Sequence, residues 1–143
     1  MKPLFLIAAV TLALGAPAQA QDAKKGESEF RKCKACHSII ADDGTAIVKG
    51  GKTGPNLYGV IGRAIASTDF DYGDSIRAAG ANGAVWDRDS LITYVANPTA
   101  WLKTATGDAG AKSKMSFKLA KGGADVAAYL VSVAPASVAP AAE

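Results

Sequence analysis

The sequence predicts an all-α fold, and three observations carry that expectation. Val126, Tyr129, Leu130 and Val133 recur at i, i+3, i+4 and i+7, the period of an amphipathic helix. Near the other end, Ala23, Gly26, Phe30 and Cys33 fall on one face at helical spacing. No convincing alternation of apolar and polar residues, the mark of a half-buried strand, runs anywhere in the chain.

Taken in order, the chain begins with Met1-Lys2-Pro3, an apolar run from Leu4 to Leu14, and Gly15-Ala16-Pro17-Ala18-Gln19-Ala20. A basic start, a short apolar core and a small-x-small ending describe a secretory signal peptide cleaved after Ala20. The run is shorter than the roughly 18 apolar residues a membrane anchor needs. Setting residues 1–20 aside leaves 123 of the 143 residues, enough for one domain with one core. That domain is expected over residues 21–134, with 135–143 a disordered Ala/Pro-rich tail. Lys2 leaves with the leader, which takes the formal net charge from +3 to +2. So small a charge does not mark a nucleic-acid partner.

Residues 22–37 read as the first helix, with Asp22 as N-cap and Gly26 leaving room for another helix to cross. Residues 38–52 read as a polar, glycine-rich loop with turn signals at Asp42-Asp43-Gly44 and Gly50-Gly51, and Ile47-Val48 is too brief for a strand. Thr53 to Arg63 has no period, and its glycines and proline hold irregular backbone. A short helix fits Asp74 to Gly80, capped at both ends by the expected residue types. Asp87 or Asp89 opens a firmer helix through Leu91, Tyr94 and Val95, which Asn97-Pro98 stops. A further turn carries Trp101 and Leu102. Gly107 to Lys121 is loop again, and the last helix follows Gly122-Gly123.

The chemistry concentrates in Cys33-Lys34-Ala35-Cys36-His37. Two cysteines separated by two residues, with histidine next, form the attachment signature of a c-type haem. Two thiols about one helical turn apart can form thioethers to the two vinyl groups on one porphyrin edge, and the adjacent imidazole can donate nitrogen to the iron. A redox dithiol and half of a zinc site are the alternatives. Thioredoxin-like motifs follow a strand, whereas Lys24 to Arg31 leads in with helical character. A structural zinc site wants four ligands, and the chain has no cysteine or histidine beyond these three. A carboxylate completing that set would leave three ligands cramped into five residues.

Once the leader is removed, Met115 is the only methionine, and His37 is the only histidine. Met115 sits among lysines in a loop, Lys112-Ser113-Lys114-Met115-Ser116-Phe117-Lys118, an odd place for a core residue. A thioether opposite the imidazole would favour ferrous iron and raise the potential. A methionine tucked into the core, a lysine ligand, or an open gas-binding iron are the other readings.

In these motifs the chain resembles a class I cytochrome c, most of all the bacterial cytochrome c2 and c-550 group, from Gly26 to Leu130. The resemblance rests on Gly26 and Phe30, the Cys33–His37 motif, Gly54-Pro55-Asn56-Leu57, Gly62-Arg63, Trp86, Leu91-x-x-Tyr94, Asn97-Pro98, Lys114-Met115-x-Phe117 and Tyr129-Leu130. It implies first and last helices that cross at Gly26, with shorter helices and loops wrapping one covalently bound haem c. It implies that the Pro55 carbonyl accepts a hydrogen bond from His37, that Tyr72, Trp86 and Arg63 bind a buried haem propionate, and that the Tyr94 hydroxyl faces the methionine sulfur. Without the family, Trp86 and Tyr94 fit a packed core equally well, and Arg63 a solvated surface. Two departures stand out. The segment between His37 and Gly54 is longer than in the shortest members, and Ala111-Lys112-Ser113 replaces the proline-glycine pair that many relatives place before the methionine.

The expected function is one-electron transfer by a monomeric carrier in the periplasm, without stable membrane insertion. The resemblance implies a cytochrome bc complex as donor and a photosynthetic reaction centre or terminal oxidase as acceptor. Lys32 and Lys34 flank the cysteines and Lys112, Lys114 and Lys118 flank Met115, a candidate docking face. Acidic residues gather mid-chain, at Asp69, Asp71, Asp74, Asp87 and Asp89, which suggests a dipole. The competing reading is a gas sensor or small haem enzyme with a labile sixth ligand. A haem domain of a larger enzyme fits so short a chain poorly.

Overall fold

Asp22 starts the first helix by accepting hydrogen bonds from the Lys24 and Lys25 amides at 2.9 and 3.2 Å. A computed structural model describes residues 22–134, so the leader, its cleavage site and the 135–143 tail lie outside the described residues. Helix α1 spans Ala23–Phe30 and α5 spans Gly123–Ser132. They cross where Gly26 meets α5, close enough that a methyl group on Gly26 would overlap the Asp125 carbonyl and lie 2.8 Å from Tyr129 Cβ. The Asp22 amide donates to Asp125 Oδ1 at 2.9 Å beside the crossing. Phe30, 2% exposed, packs its ring 5.7 Å from that of Tyr129.

Helix α1 is shorter than the 22–37 span the sequence predicts. After Phe30 the chain turns through Cys33 and Cys36 with hydrogen bonds from Cys33 to Phe30 and from His37 to Cys33, but no continuous helix. The amides of Arg31, Lys32 and Cys33 bond three residues back, to Ser28, Glu29 and Phe30, a tighter turn that ends the α-helix. Gly51 then donates to the Lys34 carbonyl and Gly54 to that of Cys36, each at 2.9 Å, which ties the segment to a later loop.

Residues 38–52 are not wholly loop. Strands β1 (Ile39–Ile40) and β2 (Ala46–Val48) pair antiparallel, Ile39 with Val48 and Ile40 with Ala46 across a bulge. Asp43 Oδ1 takes the Thr45 amide at 2.8 Å and Gly44 adopts φ +86°, which turns the chain. Each strand is too short to show a period, and burial of Ile39 holds the pairing.

Helix α2 covers Asp74–Gly80 as expected, but Gly73 is its N-cap and offers no side-chain bond; Asp74 is a first-turn acid. Asp87 caps α3 (Arg88–Ala96) in a reciprocal box with Ser90. Asn97 ends α3 and caps α4 (Pro98–Thr106), where Pro98 occupies the first turn. The stretch with Trp101 and Leu102 is therefore a full helix rather than one turn. It ends at Gly107, whose φ of +69° suits the left-handed cap. Trp86, Tyr94 and Trp101 cluster with ring centroids 5.0–5.5 Å apart. No helix among the described residues is long and apolar enough to cross a membrane.

Candidate haem-binding site

The turn that follows α1, helices α2 to α5 and the loops between them leave a mainly apolar cavity of about 270 Å³. Leu57, Val60, Leu91, Leu102, Val126 and Leu130 supply apolar wall, and Cys33, Cys36, His37 and Met115 also line it. Cys33 is half-buried and Cys36 exposed, and burial pushes the Cys33 thiol up to about 11. The motif follows a helix, not a strand. Among the described residues no group of three or more His, Cys, Asp or Glu side chains is arranged to hold a metal ion, as a zinc site would need.

His37 Nδ1 lies 2.8 Å from the Pro55 carbonyl oxygen. A carbonyl can only accept, so Nδ1 carries the proton and Nε2 keeps its lone pair as a donor to a metal. Burial lowers the imidazole pKa more than the Pro55 bond raises it, which favours this neutral, ligating form. Gly54 makes the approach possible, since a methyl there would run into the ring, 2.7 Å from Nδ1. Asn56 holds this strap against β1: its amide exchanges two hydrogen bonds with Ile40, at 2.7 and 2.9 Å, and accepts from Tyr58. The sequence reading included Asn56 in a motif without giving it this task.

Arg63, Tyr72 and Trp86 all line the cavity. The Arg63 guanidinium donates to the Asn56 and Tyr58 carbonyls, each at 3.0 Å, and no carboxylate among the described residues pairs with it. Burial lowers its pKa, yet a guanidinium stays charged. A part-buried cation without a counter-ion fits an anionic group in the cavity. Tyr72 hydrogen-bonds Thr68 at 2.5 Å, and Trp86 is 6% exposed. Thiols on one wall, a fixed imidazole, an apolar interior and a counter-charge together fit a haem.

Met115 enters from the loop between α4 and α5. Its amide donates to Ser113 Oγ at 3.0 Å, and that oxygen is 3.5 Å from the buried Tyr94 hydroxyl. The polar contact of Tyr94 is thus Ser113, two residues before the methionine. Nothing in the sequence ties Ser113 to Tyr94, which stands 19 positions away.

The candidate docking lysines divide. Lys34, Lys112 and Lys118 are exposed and form no ion pair among the described residues. Lys32 pairs with Glu29 at 2.5 Å, and Lys114 with Asp71 at 2.9 Å. The expected separation of charge therefore fails at Asp71, which belongs to the mid-chain acidic group but touches the loop that bears Met115. Distance along the chain is not distance in space.

No protein-family model matches the chain. Single proteins do. The chain is 62% identical over 123 residues to cytochrome c2 of Rhodobacter capsulatus, covering 85% of this chain and 90% of that one. Cytochrome c-550 of Paracoccus versutus is 57% identical over 132 residues, 90% of this chain and 86% of that one. The solved structure of ferric cytochrome c-550 from P. versutus superposes with a TM-score of 0.78 at 57% identity, covering 80% and 98% of the two chains. That of R. capsulatus cytochrome c2 gives 0.77 at 62% identity, covering 78% and 97%.

Proposed function

The chain belongs to the class I cytochromes c of the cytochrome c2 and c-550 group, electron-transfer proteins that are not enzymes and that carry a covalent haem c, and from that premise we propose that it shuttles single electrons in the periplasm as a soluble monomer, from a cytochrome bc complex to a photosynthetic reaction centre or terminal oxidase. The haem is joined through Cys33 and Cys36. When bound, it supplies a ferric/ferrous couple.

In this reading His37 and Met115 would hold the haem iron. The observation that carries it is the shared cavity wall: both thiols, the imidazole anchored on Pro55 and the single methionine of the described residues all line one apolar space. Pro55 fixes the imidazole orientation and strengthens Nε2 as a donor. A thioether ligand from Met115 would favour the ferrous state and so raise the potential. Arg63, with Tyr72 and Trp86, would hold a propionate, and Tyr94 steadies the ligand loop through Ser113. The apolar wall excludes water, which keeps the two oxidation states close in structure. Lys34, Lys112 and Lys118 form the docking face, with Lys32 and Lys114 contributing less because each already has a carboxylate partner.

Visible spectra of the purified protein in both oxidation states test the ligand set. Methionine–iron ligation gives a weak far-red band in the ferric form. Met115→Ala is expected to abolish that band, lower the potential and admit carbon monoxide to the ferrous protein. Carbon monoxide binding to the unmodified protein, or an unchanged spectrum in Met115→Ala, overturns the assignment.

A further inference from the structure

The loop bearing Met115 has few anchors. Between buried Ala111 and Leu119 no backbone–backbone hydrogen bond among the described residues holds residues 112–118 to the rest of the protein. The connections made instead run mostly to one segment, Asp71–Ser75. The Lys112 amide donates to Ser75 Oγ at 3.0 Å. Lys114 Nζ donates to Asp71 Oδ2 at 2.9 Å and to the Asp71 carbonyl at 3.1 Å. The Lys114 stem lies over Gly73, where a methyl group would come 3.3 Å from its Cγ. Arg77 holds the other carboxylate oxygen of Asp71 at 3.1 Å, so the acceptor is itself oriented.

We propose that Asp71 and Ser75 are positioning residues: they strap the ligand loop shut over the cavity, Asp71 through Lys114 and Ser75 through the Lys112 amide, and so set how often Met115 leaves the iron. The inference rests on Met115 being the distal ligand. It supplies what Ala111-Lys112-Ser113 lacks, since backbone without a proline must be stiffened by tertiary contacts. An exposed ion pair is weak, so the strap tunes an equilibrium rather than locking it. The same pairing holds Lys114 in place as a tether rather than a free steering charge.

The test is imidazole binding to the ferric holoprotein, followed by visible absorbance, since imidazole reaches the iron only when the loop opens. Asp71→Asn is expected to raise imidazole affinity about 2–5-fold at low ionic strength, an effect that fades in high salt. Ser75→Ala moves it the same way without changing charge. Asp71→Asn combined with Lys114→Gln does no more than Lys114→Gln alone, because without Lys114 the Asp71 side chain has no contact with the loop to lose. Arg77→Gln, which leaves the Lys114 bond in place, has the smaller effect. Far-UV unfolding midpoints stay close to wild type throughout, which separates loop opening from loss of the fold. Wild-type imidazole affinity in Asp71→Asn, or effects of Asp71 and Lys114 that add, overturns the strap. Met115→Ala keeps the two readings apart. If it binds imidazole much more tightly while Asp71→Asn behaves as wild type, only the strap fails; if it leaves affinity unchanged, the ligand assignment fails.

Discussion

A methyl group at Gly26 would overlap the Asp125 carbonyl, which is backbone and cannot rotate away. Relief requires the two terminal helices to separate, loosening the Phe30–Tyr129 contact beneath them. Gly26→Ala is therefore expected to cost about 1–3 kcal/mol, read as a lower denaturant midpoint of the holoprotein. A wild-type midpoint would mean that the crossing can yield at no cost. Gly54 works the same way at the other end of the site, where its missing side chain is the space that the His37 ring occupies. Gly26 is legible in the sequence as a glycine on an apolar helix face, whereas the run at Gly54-Pro55 marks only irregular backbone. Ser113 and Asp71 are not legible there, because they act on partners 19 and 43 residues away.

At the level of elements, α3 depends on the residue that caps it. The Asp87 carboxylate accepts from the Ser90 amide at 2.7 Å while the Ser90 hydroxyl takes the Asp87 amide. The helix so begun carries Leu91 and Tyr94 to the cavity. Removing this cap in Asp87→Ala is expected to cost about 0.5–2 kcal/mol at neutral pH, measured by denaturant unfolding. The backbone bond from Ser90 holds the Asp87 pKa below the usual carboxylate value. A depressed folded-state pKa contributes stability above the unfolded value of about 3.9, and that contribution is lost as pH falls through the lowered one. The gap between variant and wild type should narrow in acid; a gap that widens there would refute the cap's electrostatic share. The hairpin β1–β2 teaches the opposite lesson about legibility. Ile39-Ile40 and Ile47-Val48 flank a clear Asp-Asp-Gly turn, but strands of two and three residues have no period to detect.

Across the whole molecule, the prediction concerns the exposed lysines. If the exposed lysines border the site of electron exit, association with an acidic partner is steered, by up to about 10³-fold at low salt. The rate of electron transfer is expected to fall as ionic strength rises. Lys34→Glu and Lys112→Glu should each slow it more than Lys103→Glu on α4, and equal effects would mean that net charge alone governs docking. Arg77 cannot serve as a neutral control, because it shares Asp71 with Lys114. Lys32 and Lys114 are weaker probes than their place beside the ligand segments suggests, since each already faces a carboxylate.

By itself the sequence determined whatever depends on neighbours along the chain. It specified the haem motif, the helical periods, the cap at Asp22, the helix stop at Asn97-Pro98, the one methionine beyond Met1 and the small residue at the helix crossing. Such features are local because helix hydrogen bonds and thioether spacing span only a few residues. Tertiary structure decided what the Cys33–His37 turn is held against, since the carbonyls of Lys34 and Cys36 bond to glycines of a later loop. It decided which lysines are already paired and which side chains strap the Met115 loop. Those outcomes depend on surfaces that meet only after folding, when charges far apart in sequence come within a hydrogen bond of each other.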